Sequence, residues 1–141
     1  MFCILIFFKH WVKVPFDVEL RSLTYRTYSI YNADMDNLNE LDVFKALSNK
    51  TRLDILKWLR EPEKNFPKQQ AHLPKEVSIE GGVCVGDIQD KVNLSQSTVS
   101  HYLSLMQKAG LLEAVRYGQW TYYRRNEETL AKIAEFVKQE I

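Results

Sequence analysis

The side chains best suited to binding chemistry on this chain lie between residues 91 and 125. Gln96, Ser97, Thr98, Ser100, His101 and Ser104 follow one another closely, with Lys108 just beyond. Lys91, Lys108, Arg116, Arg124 and Arg125 supply five cations to the stretch, against one acid, Glu113. Residues 35–90 hold eight basic and ten acidic side chains, and residues 126–141 hold two and four. The near-neutral total of 19 basic and 18 acidic residues therefore conceals one local positive segment. Short hydroxyls, an amide and an imidazole can bond to base edges, while lysine and arginine neutralise phosphates. This combination points to double-stranded DNA as the partner. The sequence shows no nucleophile paired with a base, no phosphate-cradling glycine loop and no cluster of metal ligands. Neither an enzyme nor a cofactor is expected.

Such side chains need an element that presents them on one face. At about 100° per residue, a helix over 95–109 turns Val99, Tyr102, Leu103 and Met106 one way. Ser97, His101, Ser104 and Lys108 turn the other way, with Thr98 and Ser100 at the margins. Ser95 suits the N-cap. A shorter helix is expected over 85–92, joined through Asn93-Leu94 to form a helix-turn-helix. A helix with short polar side chains can lie deep in a major groove. Gln96 suits a bidentate pair with adenine, and the positive end of the helix dipole suits a phosphate. The same pattern would also describe an ordinary solvated helix face, so the next segment of the chain decides between the two. Leu111–Val115 and Trp120–Arg124 read as two strands turning at Tyr117-Gly118. They carry Arg116, Tyr117, Gln119, Arg124 and Arg125. A basic hairpin directly after a recognition helix is the layout of a winged helix, whose wing follows the backbone or minor groove.

The remaining segments supply support. The apolar run at residues 1–8 is far shorter than the roughly 20 residues of a membrane helix, and two cysteines fit a reducing cytoplasm. Residues 1–34 are rich in aromatic and β-branched residues but lack a sustained period. Two readings stay open: an N-terminal extension, or a misassigned start with the natural beginning at Met35. From there the pattern is helical. Leu38, Leu41, Phe44 and Leu47 form one apolar stripe; Leu53, Leu56 and Leu59 form another, on a helix capped by Ser48 or Asn49. Residues 61–82, with three prolines and a closing Gly-Gly, read as a long loop. Leu130, Ile133, Ala134 and Val137 share one face of a final helix.

With these elements in place, the chain resembles the ArsR/SmtB family of dimeric winged-helix repressors. The resemblance rests on ALSNKTRLDIL at 46–56, LSQSTVSHYLSLMQKAGLL at 94–112 and RYGQWTYYRR at 116–125. It implies a mainly α fold with one β-hairpin, a winged helix-turn-helix over 35–141, dimerising through its first and last helices. It also implies operator binding that ends when an inducer arrives, here an unknown small-molecule or redox signal. The apolar stripes at 38–47 and 130–137 exceed what a small core needs, which suits a homodimer. Many relatives bind metal through a Cys-Val-Cys element. The matching residues here are Cys84, Val85 and Gly86, so one thiolate of that pair is missing and no metal site is expected.

Cys84 itself has two readings, a small buried packing residue or a redox sensor activated by a helix N-terminus. His72 reads as a solvated loop residue, and Trp58 and Trp120 as packing residues. Arg52 suits either a phosphate contact or an ion pair. The favoured function is a repressor that occludes its operator. The rival is a winged helix used for protein–protein contact without an operator, which the basic 91–125 segment disfavours.

Overall fold

The computed structural model describes the backbone of 12–13 and residues 38–67, 73 and 78–141. Cys3, His10 and His72 lie outside these residues, as do the other residues of 1–34 apart from 12–13. In chain order the elements are β1 (Val12–Lys13), α1 (Glu40–Leu47), α2 (Lys50–Trp58), α3 (Pro62–Asn65), β2 (Ser78–Ile79) and β3 (Val83–Cys84). They continue with α4 (Val85–Val92), α5 (Gln96–Lys108), β4 (Leu112–Tyr117), β5 (Trp120–Arg125) and α6 (Glu127–Glu140). Helices α1, α2, α4, α5 and α6 are the five expected; α3 is a single extra turn.

Local chemistry explains most of the boundaries. Asn39, Asn49, Ser95 and Asn126 each accept a backbone N–H at the start of α1, α2, α5 and α6 respectively, satisfying donors that a helix start leaves open. Helix α5 ends at Gly110, whose φ of 76° is costly for other residues. The Gly110 N–H donates to Gln107 and the Leu111 N–H to Met106, a Schellman closure. That closure sends the chain directly into β4.

The main core gathers Val43, Ala46, Ile55, Leu56, Leu59, Val99, Leu103, Met106, Leu111 and Ile133. It corrects the apolar stripes read from sequence. Steps of three residues drift around a helix with 3.6 residues per turn, so the leucine row of α1 cannot all face inward. Val43 and Ala46 are fully buried, whereas Leu41 is 67% exposed. In α2, Ile55 is buried and Leu53 lies at the surface. In α6, Thr129 and Ile133 are buried while Ala134 and Val137 are exposed.

The 61–82 segment is also more structured than a plain loop. It contains α3 and β2, and β2 pairs antiparallel with β1 through Val12↔Ile79 and Lys13↔Ser78. Beyond it, β3 joins the wing to give the sheet order β3-β5-β4. A second small core lies here, with Ile79, Cys84 and Tyr122 fully buried and Val115, Tyr117 and Trp120 packed around them. The wing is therefore anchored and not a free hairpin.

Candidate nucleic-acid interface

The turn between α4 and α5 is short because Asn93 adopts the left-handed conformation, with φ 56° and ψ 43°. Asparagine tolerates that region better than most residues. Ser95 then caps α5, accepting the Thr98 N–H at 3.3 Å, and its hydroxyl lies 2.7 Å from the Thr98 hydroxyl. Val99, Leu103 and Met106 are buried, which fixes the rotation of α5. Gln96, Ser97, Ser100, His101, Ser104 and Lys108 are exposed together on its outer side. Thr98 is half-buried and serves the cap.

The wing turns at Gly118-Gln119, since Tyr117 pairs with Trp120. Gly118 has φ 59° at the first central position, as a two-residue hairpin turn of the II′ kind requires. This moves the turn one residue beyond the Tyr117-Gly118 expected from sequence. Gln119 and Arg116 are exposed, and Arg116 Nε donates to the Gly118 carbonyl at 3.2 Å. Tyr117 is half-buried against the second core.

The five cations differ in their partners and exposure. Arg124 donates to Glu113 Oε2 across the hairpin at 2.7 Å, with its side chain 27% exposed. Arg125 is 16% exposed and Nη2 donates to Glu127 Oε2 at 3.0 Å. The Lys91 ammonium donates to the Asn65 carbonyl at 3.2 Å and lies 5.0 Å from the Trp58 ring centre. Lys108 and Arg116 are the exposed cations on the recognition helix and the wing edge.

Cys84 is free, fully buried and at the N-cap of α4 without a capping bond from its side chain. Desolvation pushes its thiol pKa up, and the nearby Asp87 carboxylate adds to that. Hydrogen bonds from the backbone at Gly86 and Asp87 pull the other way and are outweighed. Tyr122, opposite Cys84 in the β3–β5 ladder, is pushed up to about 12, first by burial and then by the Cys84 and Asp87 charges. This environment favours packing over a reactive thiolate. A Cβ at Gly86 would meet no atom within 4 Å, so crowding does not account for the glycine at that position.

A capped, exposed polar helix joined by a tight turn to a supporting helix, with a basic hairpin behind it, defines a winged helix-turn-helix DNA-binding protein. Comparison with known proteins gives the family. Residues 79–114 match the model described as "Bacterial regulatory protein, arsR family". An uncharacterized HTH-type transcriptional regulator of Bacillus subtilis, YbzH, is 45% identical over 104 residues, covering 74% of this chain and all of that protein. The Bacillus subtilis transcriptional repressor SdpR is 30% identical over 89 residues, 63% of this chain and 78% of that protein. A crystal structure of an ArsR family transcriptional regulator superposes with a TM-score of 0.53 at 13% identity, covering 72% of this chain and 86% of that one. The chain belongs to the arsR family of bacterial regulatory proteins and is a DNA-binding transcriptional repressor. No helix among the described residues is long and apolar enough to cross a membrane.

Proposed function

We propose that the protein acts in the cytoplasm as a homodimer, represses by occluding its operator, and is released by a small-molecule or redox inducer. Residues 35–141 form the DNA-binding unit and 1–34 an extension to it. The observation that carries the reading is the exposed row Gln96, Ser97, Ser100, His101 and Ser104 on a helix whose other side is locked into the core. Two such rows, about 34 Å apart in a dimer, would enter successive major grooves. Lys108 and Arg116 would hold the phosphates, with Gln119 and Tyr117 at the wing tip. Arg116 would keep or exchange its bond to the Gly118 carbonyl, and Lys91, Arg124 and Arg125 would contribute by leaving their present partners.

The dimer reading is supported by α1 and α6. Phe44 and Phe136 pack with ring centres 6.4 Å apart, and Leu41, Val137 and Ile141 remain exposed on or beside the same two helices. Genomic footprinting in the host tests the function directly and names the operator. Binding to that operator should fall with salt. Taking roughly four to six phosphate contacts per dimer, affinity should drop by about 10²–10³ between 50 and 200 mM salt. A flat salt profile, or no footprint, would reject the reading.

A further inference from the structure

Arg52 lies where three helices meet. Asn49 caps its backbone N–H at the start of α2. Its guanidinium reaches back to the end of α1, where Nε donates to the Ala46 carbonyl at 2.6 Å and Nη2 to the Lys45 carbonyl at 2.9 Å. Both belong to the last turn of α1, where a helix leaves carbonyls short of partners and a cation is favoured by the helix dipole. The Lys45 carbonyl also takes the Ser48 N–H at 3.3 Å and the Ser48 hydroxyl at 2.8 Å. The same guanidinium lies over the ring of Tyr102 on α5, with Cζ 5.1 Å from the ring centre. Tyr102 is half-buried and is followed by Leu103, which anchors α5 in the core. It is preceded by His101, which belongs to the exposed row.

Sequence alone leaves Arg52 between a phosphate contact and an ion pair. Its partners are two carbonyls and a ring, all within the protein. A planar fork donates to two carbonyls in a fixed geometry while its central carbon lies over an aromatic ring; a lysine ammonium is a point charge on a flexible stem and does not reproduce that paired geometry. We infer that Arg52 is a positioning residue for DNA recognition: it holds α5 against α1, and so sets the angle at which the His101 row meets the groove, without touching DNA. The inference rests on the proposed DNA-reading role of α5. It makes α1, which packs through Phe44 against α6, mechanically continuous with the recognition helix. Operator discrimination then depends on a residue that lies off the DNA.

The test uses a duplex selected by the wild-type full-length chain from a random-sequence pool, and a random duplex as control. Affinities for both are measured over a salt series for wild type, Arg52→Lys, Tyr102→Leu, Tyr102→Phe and the Arg52→Lys/Tyr102→Leu pair. Thermal unfolding is followed alongside. Arg52→Lys and Tyr102→Leu should each lose about tenfold on the selected duplex and much less on random DNA. Their salt slopes should match wild type, Tyr102→Phe should bind normally, and the double variant should be no weaker than the weaker single. A salt slope for Arg52→Lys shallower by about one would make Arg52 a phosphate contact and overturn the inference. Additive losses, or equal losses on both duplexes, would overturn it as well. If Arg52→Lys fails to fold, the tyrosine pair decides: Tyr102→Leu binding like wild type overturns the inference. Should wild type itself select no sequence, the DNA-reading role falls and takes this inference with it. That outcome is distinct because it appears without any substitution.

Discussion

Arg124 and Glu113 face each other across the wing and are joined by a 2.7 Å ion pair. The pair ties the base of the hairpin together and occupies a cation that the sequence alone would assign to phosphate. An exposed cation and one held in a part-buried ion pair should respond differently to substitution. Arg116→Ala should weaken operator and random DNA alike and reduce the salt slope by about one per protomer. Arg124→Ala should leave the slope nearly unchanged and act through the wing, lowering stability by about 0.5–1 kcal/mol. Glu113→Gln should release Arg124 and raise affinity for random DNA. Binding isotherms on both duplexes at several salt concentrations check all three; a larger slope change for Arg124→Ala than for Arg116→Ala would refute the assignment.

Gln96 and His101 are exposed one and a half turns apart on α5, where base edges would be read. Replacing either by alanine should cost roughly 1–3 kcal/mol on the operator and little on random DNA. Competition assays with single base-pair changes in the operator should show specificity relaxed at one position per variant. Equal losses on both kinds of DNA would move these side chains to the backbone.

Much of this arrangement can be read from sequence, and the misses have physical causes. Helix α4 over Val85–Val92 and the Ser95 cap of α5 follow from local signals that tertiary packing does not override. The pairing of Arg124 with Glu113 depends on the turn. A turn at Tyr117-Gly118 sets Glu113 opposite Tyr122, whereas Gly118-Gln119 sets it opposite Arg124. One residue in the turn changes every cross-strand partner. The glycine, suited to the first position of such a turn, is the signal that points to the correct register. Strands β2 and β3 have two residues each, too short to show a period. The role of Arg52 requires α1, α2 and α5 to be placed in space, and no spacing along the chain contains that.

Tyr122 is fully buried, and its hydroxyl has no hydrogen-bond partner among the described residues. Its pKa rises from the ordinary 10.0 to about 12 in the folded state. A raised folded-state pKa means that the neutral phenol is held more tightly when folded, so its stabilising effect is complete below pH 10 and is lost as pH rises through about 12. Cys84 shifts in the same direction. Unfolding midpoints in denaturant should therefore begin to decline above pH 9.0, the ordinary value for the Cys84 thiol, and further above pH 10. Tyr122→Phe should flatten the later part of that decline. Because no bond is lost, the substitution should also leave neutral-pH stability within about 1 kcal/mol of wild type, or raise it. A large loss at neutral pH would reveal a partner for the hydroxyl.

Val12 and Lys13 pair with β2, and among the described residues the main core is drawn from downstream of them. A chain beginning at Met35 should fold, form the same oligomer and bind the operator as the full chain does. The expected difference is local: faster amide exchange at the exposed edge of Ser78–Ile79. A truncated protein that is insoluble, or monomeric where the full chain is dimeric, would show that the upstream segment is structural.

Family resemblance and geometry pull apart at Cys84. Cys84 matches the first thiolate of the Cys-Val-Cys element of many relatives, and the start of α4 favours an anion. Burial opposes both, since it raises the thiol pKa and closes the sulfur off from solvent. Iodoacetamide should therefore react slowly with the native protein and rapidly in denaturant. Cys84→Ala should keep operator binding, whereas Cys84→Ser places a hydroxyl in an apolar core at a cost of about 1–3 kcal/mol. Gly86 supplies no second thiolate, so zinc, cadmium and arsenite should not release DNA at stoichiometric concentration. A redox response would require the β3–β5 pairing to open first, because Cys84 sits in that ladder opposite Tyr122. Peroxide or polysulfide should then act slowly, only on Cys84-containing protein, and faster when the wing is destabilised by Arg124→Ala. The deciding measurement is operator affinity of wild type and Cys84→Ala with each metal and oxidant. Rapid release of wild type by one stoichiometric metal would reinstate a metal site. Insensitivity of both proteins to every reagent would make Cys84 a packing residue and place the inducer site elsewhere, with the 61–82 segment next to be tested.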